Sequence, residues 1–269
     1  MKAFGDFIPA VTAALGLFSA VVSATGGLNG LPIIYGPIPV VPDTPGMKKS
    51  IGEFVHPGLW HTHDDLERIK LGVKGGEEPW ASAYANFSQS AYSQADVGES
   101  KCFLQLSWLM TPQYQLKGPH AVICRGPCSN YTSFTSDVRA AYQNALMWYI
   151  TGDQSHWDKA TTILDDWGSN LTDIIGTDTS LLVGLEGDMF ANAAEIMRWE
   201  GNWTERGAKA GGTSGFSNQL YWLFAKQSQI VGQANYGMVS IKAMLSFAVY
   251  LDDVALVSSG NPGSSSTSC

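Results

Sequence analysis

From Ser136 to Leu256 one pattern recurs: apolar side chains at three- and four-residue spacing, then a break, then the same spacing again. That periodicity commits the chain to amphipathic helices packed on one another and excludes a sheet-based fold. The segment SDVRAAYQNALMWYITGD predicts a helix capped by Ser136 and ended by Gly152, with Val138, Ala141, Tyr142, Ala145, Trp148 and Tyr149 as its apolar face. A second helix carries Trp157, Ala160, Leu164, Trp167 and Leu171 and stops near Thr172. Others are expected from Leu181 to Trp199 and from Phe216 to Ser228. The last, Asn235 to Leu256, is apolar on most sides, which predicts a central position.

Upstream, Thr62 is placed to cap a helix with Asp64 and Asp65 in its first turn, and Pro79 to open another along Trp80, Tyr84 and Phe87. Strand signals are almost absent. About seven helices with short connections predict an all-α fold of stacked antiparallel hairpins.

Around this helical region, residues 54–256, lie three segments of other character. Residues 1–24 read as a secretory signal: Lys2, an apolar run from Phe7 to Val22, and the small-residue pattern Val22-Ser23-Ala24 before the cut. The run contains Pro9 and is shorter than the roughly 20 residues a membrane span needs, so it predicts cleavage and not an anchor. Residues 25–53, with GPIPVVPDTPG, form a Pro/Gly-rich extended arm, and residues 257–269 a Gly/Ser-rich tail. Residues 97–113 show no sustained period.

Four sequons, at Asn86, Asn130, Asn170 and Asn202, fit an exported chain. An oxidising compartment permits disulfides, and among Cys102, Cys124, Cys128 and Cys269 the pair Cys124–Cys128 is the expected local bridge. Charged residues are only 15% of the chain, its net charge is −8, and no basic block occurs. Nucleic-acid binding therefore has no electrostatic footprint. The expectation is a secreted extracellular monomer, with no membrane contact after signal removal.

Three constellations could carry chemistry. HPGLWHTHDD gathers His56, His61, His63, Asp64 and Asp65. Thr62 and both aspartates are accounted for by a helix start, and no glutamate follows at base spacing, so no metal or other cofactor is assigned. Glu186 and Asp188 are candidate glycosidase carboxylates, which helix capping explains equally well. Gln233, Asn235, Tyr236 and Lys242 cluster at a helix start, where backbone N–H groups favour an anionic substrate group.

The blocks FVHPGLWHTHDDLERIKLGVKGGEEPWASAYANF, NALMWYITGD, GDMFANAAEIMRW and GQANYGMVSIKAMLSFAVYLDD resemble the alginate-lyase-like polysaccharide lyases, over residues 54–96 and 115–256. The resemblance implies an (α/α) toroid, here incomplete because relatives continue well beyond the position of Leu256. It further implies cleavage of a uronic-acid polysaccharide such as alginate or glucuronan by β-elimination. Asn235 would neutralise the substrate carboxylate, and Tyr236 would stand where many relatives carry histidine. Arg125 is the candidate cationic subsite residue, and Asn192 and Glu195 would line the cleft from a helix face. Two other readings are a non-catalytic carbohydrate-binding helical protein and an (α/α)-toroid glycoside hydrolase.

Overall fold

In the computed structural model, residues 54–95, 114–205, 215–225 and 234–253 are described, together with the backbone of 48–49. The expected signal, most of the expected arm, residues 97–113, the expected tail, Cys102, Gln233 and Cys269 lie outside the described residues.

A two-residue strand β1 (Lys48–Lys49) pairs antiparallel with β2 (Val55–His56). Helix α1 (His63–Gly75) starts at a capping box: the Thr62 hydroxyl accepts the Asp65 N–H at 3.2 Å and the Asp65 carboxylate accepts the Thr62 N–H at 3.1 Å. Two orphan donors of the first turn are satisfied at once, so Thr62 sets the helix start as expected. Helix α2 (Trp80–Ser88) follows Pro79, and a 3₁₀ turn covers Ala91–Ser93.

Helix α3 (Tyr131–Thr151) begins five residues before the expected Ser136, which is an interior position. The early start is anchored by Phe134, fully buried, and by Asn130, whose side chain accepts the Cys124 N–H at 2.7 Å and donates to the Val122 carbonyl at 2.9 Å. Gly152, at φ 78°, ends α3 as expected, and Asp153 caps α4 (Gln154–Asn170) through the Ser155 N–H. Strands β3 (Val122–Cys124) and β4 (Asp173–Ile175) pair in parallel, a short ladder the sequence did not announce.

Helix α5 opens with Thr179–Leu182, widens into a π turn at Val183–Gly187 and continues as Asp188–Trp199. Helix α6 spans Phe216–Gln219 and a second π turn, Leu220–Ala225. Helix α7 is Ala234–Leu251. The described residues thus hold seven helices, mostly helical as expected. None is long and apolar enough to cross a membrane.

Packing follows an order. Helices α3 and α4 form an antiparallel hairpin: His156 meets Asn144 near the turn, and Phe134 meets Trp167 far from it. Helices α5 and α7 run side by side in the same direction. Tyr236 meets Asp178 at their starts, Ser246 meets Asp188 farther along, and Arg198 meets the Tyr250 carbonyl near their ends. Helix α3 runs the same way beside α5, since Phe134 near its start meets Phe190 while Tyr142, farther along, and Asn192 both meet Trp60. Helix α6 packs behind, on α4.

An aromatic core joins the layers through Phe134, Trp167, Phe190, Phe216, Phe224 and Phe247, all fully buried. Each such side chain contributes about 1.5–3 kcal/mol on leaving water. Helix α7 is less central than its composition predicts. It buries Phe247, Ala248 and Tyr250 inward, while Met238 (69%) and Leu245 (43%) are exposed among the described residues.

One buried carboxylate organises the start of α3. Asp137 Oδ1 accepts the Tyr114 hydroxyl at 2.5 Å and the Lys117 N–H at 2.9 Å. Its Oδ2 accepts the Gly118 N–H at 2.9 Å and the Trp167 indole N–H at 2.8 Å. Four donors converge on one ion, the satisfied arrangement a buried charge requires.

Candidate active site

The parallel helices α3, α5 and α7, with the loop before α1, build one polar cluster. From the loop come Trp60 and His61. The Trp60 backbone N–H donates to Asn192 Oδ1 at 2.8 Å, and the Asn192 amide donates to the Asp188 carbonyl at 2.9 Å, so α5 dictates where the loop sits. Trp60 is 41% exposed and meets the Tyr142 ring edge-on, centroids 5.1 Å apart. His61 Nε2 lies 2.6 Å from the Tyr142 hydroxyl, with the two rings nearly coplanar in orientation at 13°.

Below Trp60 lies an ion pair. Asp188 is buried, and its Oδ2 meets Lys242 Nζ at 2.7 Å while its Oδ1 accepts the Ser246 hydroxyl. Lys242 Nζ also stands 5.2 Å from the Trp60 ring centroid, close enough for cation–π attraction. Two residues earlier on α5, Glu186 is buried within the π turn. Local π turns recur at functional positions because they re-aim side chains out of the α-helical register. Here Gly184 permits the close packing: a Cβ on it would lie 2.5 Å from Val239 of α7.

The electrostatics follow from burial. Desolvation raises the pKa of Glu186, opposed by the nearby Thr135 hydroxyl and by the charges of Arg139, Arg125 and Lys242. Desolvation likewise raises that of Asp188, opposed by Lys242 and Ser246. Burial lowers His61, opposed by Asp65, and burial together with the Asp188 charge raises Tyr142. His61 is therefore an uncharged imidazole and Tyr142 an un-ionised phenol near neutral pH.

The residues singled out by sequence fall in three places. Asn235 is exposed in the first turn of α7, and Tyr236 beside it donates its hydroxyl to Asp178 Oδ1 at 3.2 Å. Asn235 and Lys242 are seven residues apart, on one face of α7 and about 10 Å along its axis. Arg125 sits half-buried with its guanidinium 4.8 Å from the Tyr131 ring centroid, and its carbonyl accepts the Asp178 N–H at 3.2 Å. Arg125 and Tyr236 are thus joined through Asp178. The Cys124–Cys128 disulfide brackets Arg125, with Cα atoms 5.5 Å apart, and matches the expected local bridge.

Asn192 and Glu195 are fully buried, and each accepts a hydrogen bond from the loop. Glu195 Oε1 takes His56 Nδ1 at 2.5 Å and the Gly58 N–H at 3.2 Å, while the His56 ring stacks on Trp199 at 4.2 Å. Both side chains position the loop that carries Trp60. Glu186 and Asp188 lie inside α5, not at its start, so capping does not account for them. The three histidines diverge: His56 goes to Glu195, His61 to Tyr142 and His63 to Glu200.

Sequence reasoning passed over Trp60, Arg139 and Tyr142. A signal for two of them was present, since Thr135, Arg139 and Tyr142 recur at i, i+4 and i+7 and put polar groups in a stripe on an otherwise apolar helix. The sequon residues Asn86, Asn130, Asn170 and Asn202 are all exposed. No family model matches the chain, no curated protein matches it, and no solved structure matches it.

Proposed function

We propose that this chain is a secreted polysaccharide lyase domain that cleaves a uronic-acid polymer, of alginate or glucuronan type, by β-elimination. The observation that carries the reading is an exposed Trp60 beside a Tyr–His pair, with the charges of Arg139, Arg125 and Lys242 each felt by buried Glu186, in a chain of net charge −8. A polyanion needs local cations, and net charge does not forbid them. A pyranose ring needs an aromatic face, which Trp60 offers. The same-direction packing of α3, α5 and α7, with α4 and α6 behind, supports the finer expectation of part of an (α/α) toroid of antiparallel hairpins.

The chemistry asks for these groups. Removing the C5 proton of a uronate places charge on its carboxylate, and preorganised donors aimed at that carboxylate lower the barrier. Asn235, exposed in the first turn of an 18-residue helix, offers an amide where backbone N–H groups add positive potential. Lys242 and Arg125 add positive charge near Glu186. A neutral imidazole and a phenol are suitable for carrying the proton.

Incubating the folded, full-length chain with alginate and with glucuronan, and following the ultraviolet absorbance of unsaturated ends, tests the reading. Product formation that falls at least about 100-fold in Asn235→Ala, the scale of losing one oxyanion donor, supports it. Saturated products that depend on Glu186 would replace it with glycoside hydrolysis. Binding of oligouronates with no product would replace it with a non-catalytic carbohydrate-binding role.

A further inference from the structure

We infer that Asn202 carries an N-linked glycan in the exported chain, and that the folded chain excludes a glycan from Asn130; the inference rests on the export part of the reading above. The four sequons offer the same chemistry: Asn86-Phe-Ser, Asn130-Tyr-Thr, Asn170-Leu-Thr and Asn202-Trp-Thr. In each, the side-chain amide nitrogen would attack C1 of an oligosaccharide carried as a lipid-linked pyrophosphate. The N–C1 bond forms, the C1–O bond breaks, the lipid pyrophosphate leaves with the electron pair, and the nitrogen gives up one of its two protons. All four asparagines are exposed, so exposure does not separate them. The use of the amide hydrogens does.

One hydrogen of an asparagine amide lies on the Oδ1 side and the other on the Cβ side. A substituted amide keeps its substituent trans to the carbon chain, as a peptide bond does, so a sugar replaces the hydrogen on the Oδ1 side.

Asn130 needs that hydrogen. Its Oδ1 accepts the Cys124 N–H at 2.7 Å and its Nδ2 donates to the Val122 carbonyl at 2.9 Å. Val122 and Cys124 are alternate residues of β3, so the two backbone groups face the same way. A single edge of the planar amide meets both, the edge that carries Oδ1 and the hydrogen beside it. A glycan on Asn130 and the tie between β3 and the start of α3 therefore compete for one N–H.

Asn202 has no such obligation. It sits at φ 52°, a left-handed conformation that asparagine tolerates, just after α5. The turn is held from both sides. The Gly201 N–H donates to the Ile196 carbonyl at 3.3 Å, the Trp203 N–H to the Met197 carbonyl at 2.9 Å, and the Trp157 indole N–H to the Gly201 carbonyl at 2.9 Å. Trp203 is buried, while Asn202 and Thr204 are exposed, and the Asn202 amide makes no hydrogen bond among the described residues. The fold fixes the backbone here and leaves the acceptor nitrogen to solvent. Asn170, which spends one N–H on the Asp166 carbonyl of its own helix at 2.7 Å, lacks the two-point tie of Asn130.

The test expresses the full chain in a eukaryotic secretory host, once with its own first residues and once behind a supplied leader. Glycans are released enzymatically in ¹⁸O-water and the peptides of the secreted protein mapped by mass spectrometry. Asn202 should read as ¹⁸O-labelled aspartate and Asn130 as unmodified asparagine. Thr204→Ala, which removes the sequon and keeps Asn202, should lose one glycan from the intact mass, whereas Thr132→Ala should leave the number of glycans unchanged. Asn130→Ala should lower Tm, a readout that an untied surface asparagine would not move. Labelled aspartate at position 130 in secreted chain of unaltered Tm, an unchanged Tm in Asn130→Ala, or an unmodified Asn202 behind the supplied leader overturns the inference. A glycan on Asn202 that forms only behind the supplied leader supports the site and removes the expectation of export. Absence of unsaturated product from any polyuronate removes the lyase reading and leaves the glycan site standing.

Discussion

Replacing Asp137 by asparagine changes one oxygen to an NH₂ group and deletes one charge, at a site where four donors converge. The cost depends on which way the amide turns. With its nitrogen in the Oδ2 position it faces two fixed donors, the Gly118 N–H and the Trp167 indole, and orphans both. With its nitrogen in the Oδ1 position the Tyr114 hydroxyl can rotate and accept, and only the Lys117 N–H is left facing a donor. The second orientation wins. It removes one hydrogen bond to a charged group, worth about 1.5–3 kcal/mol, and leaves the part-buried Lys117 N–H without its acceptor. Two further bonds weaken from charged to neutral. The expected loss is about 3 kcal/mol, which for a domain of about 150–250 residues lowers Tm by about 6–12 °C. Calorimetry or denaturant unfolding followed by tryptophan fluorescence measures it, Trp167 being itself a reporter. A loss under about 1 kcal/mol would mean that the four donors do not depend on the carboxylate, and the account of how α3 is fixed would fail.

Two other perturbations follow from the site. Lys242→Met deprives buried Asp188 of its cation, so the already raised Asp188 pKa rises further. A raised carboxylate penalises the folded state above that pKa and releases the penalty as pH falls through it. The Tm deficit of the variant should therefore be largest near about pH 7 and shrink towards about pH 4, and a pH-independent deficit would refute the pairing. Gly184→Ala would place a Cβ 2.5 Å from Val239 and push α7 off α5, for about 1–3 kcal/mol of overpacking seen in thermal unfolding. An unchanged Tm there would contradict the close approach at the π turn.

How far the sequence foretold this fold depends on whether a signal was local. Thr62, Pro79 and Gly152 each act on the nearest turn of backbone, and each set a helix boundary where expected. Ser136 failed because another local signal lay upstream. Asn130 is tied across to β3, and Phe134 needed burial against Trp167, so the helix began before the serine was reached. The apolar character of α7 was legible, but not which face the described residues would cover. Its inward side chains match the aromatic core, while Met238 and Leu245 face outward.

The site was far less legible than the helices, for a physical reason. Every contact that defines it joins residues distant in sequence: His61 with Tyr142, Trp60 with Asn192, Asp188 with Lys242, Tyr236 with Asp178. Periodicity shows that Tyr142 lies on a helix face, yet it cannot distinguish a phenol packed in the core from one whose hydroxyl meets an imidazole 81 residues earlier. Asn192 and Glu195 illustrate the converse. Both are polar residues on an inward helix face, and the sequence placed them in a cleft. Their bonds instead hold the 56–60 loop in place, and through it the indole of Trp60. Their effect on a substrate would be exerted through Trp60. Substituting either should therefore weaken sugar binding by displacing an aromatic platform, with the loss of tryptophan fluorescence response appearing together with a loss of stability and not without it.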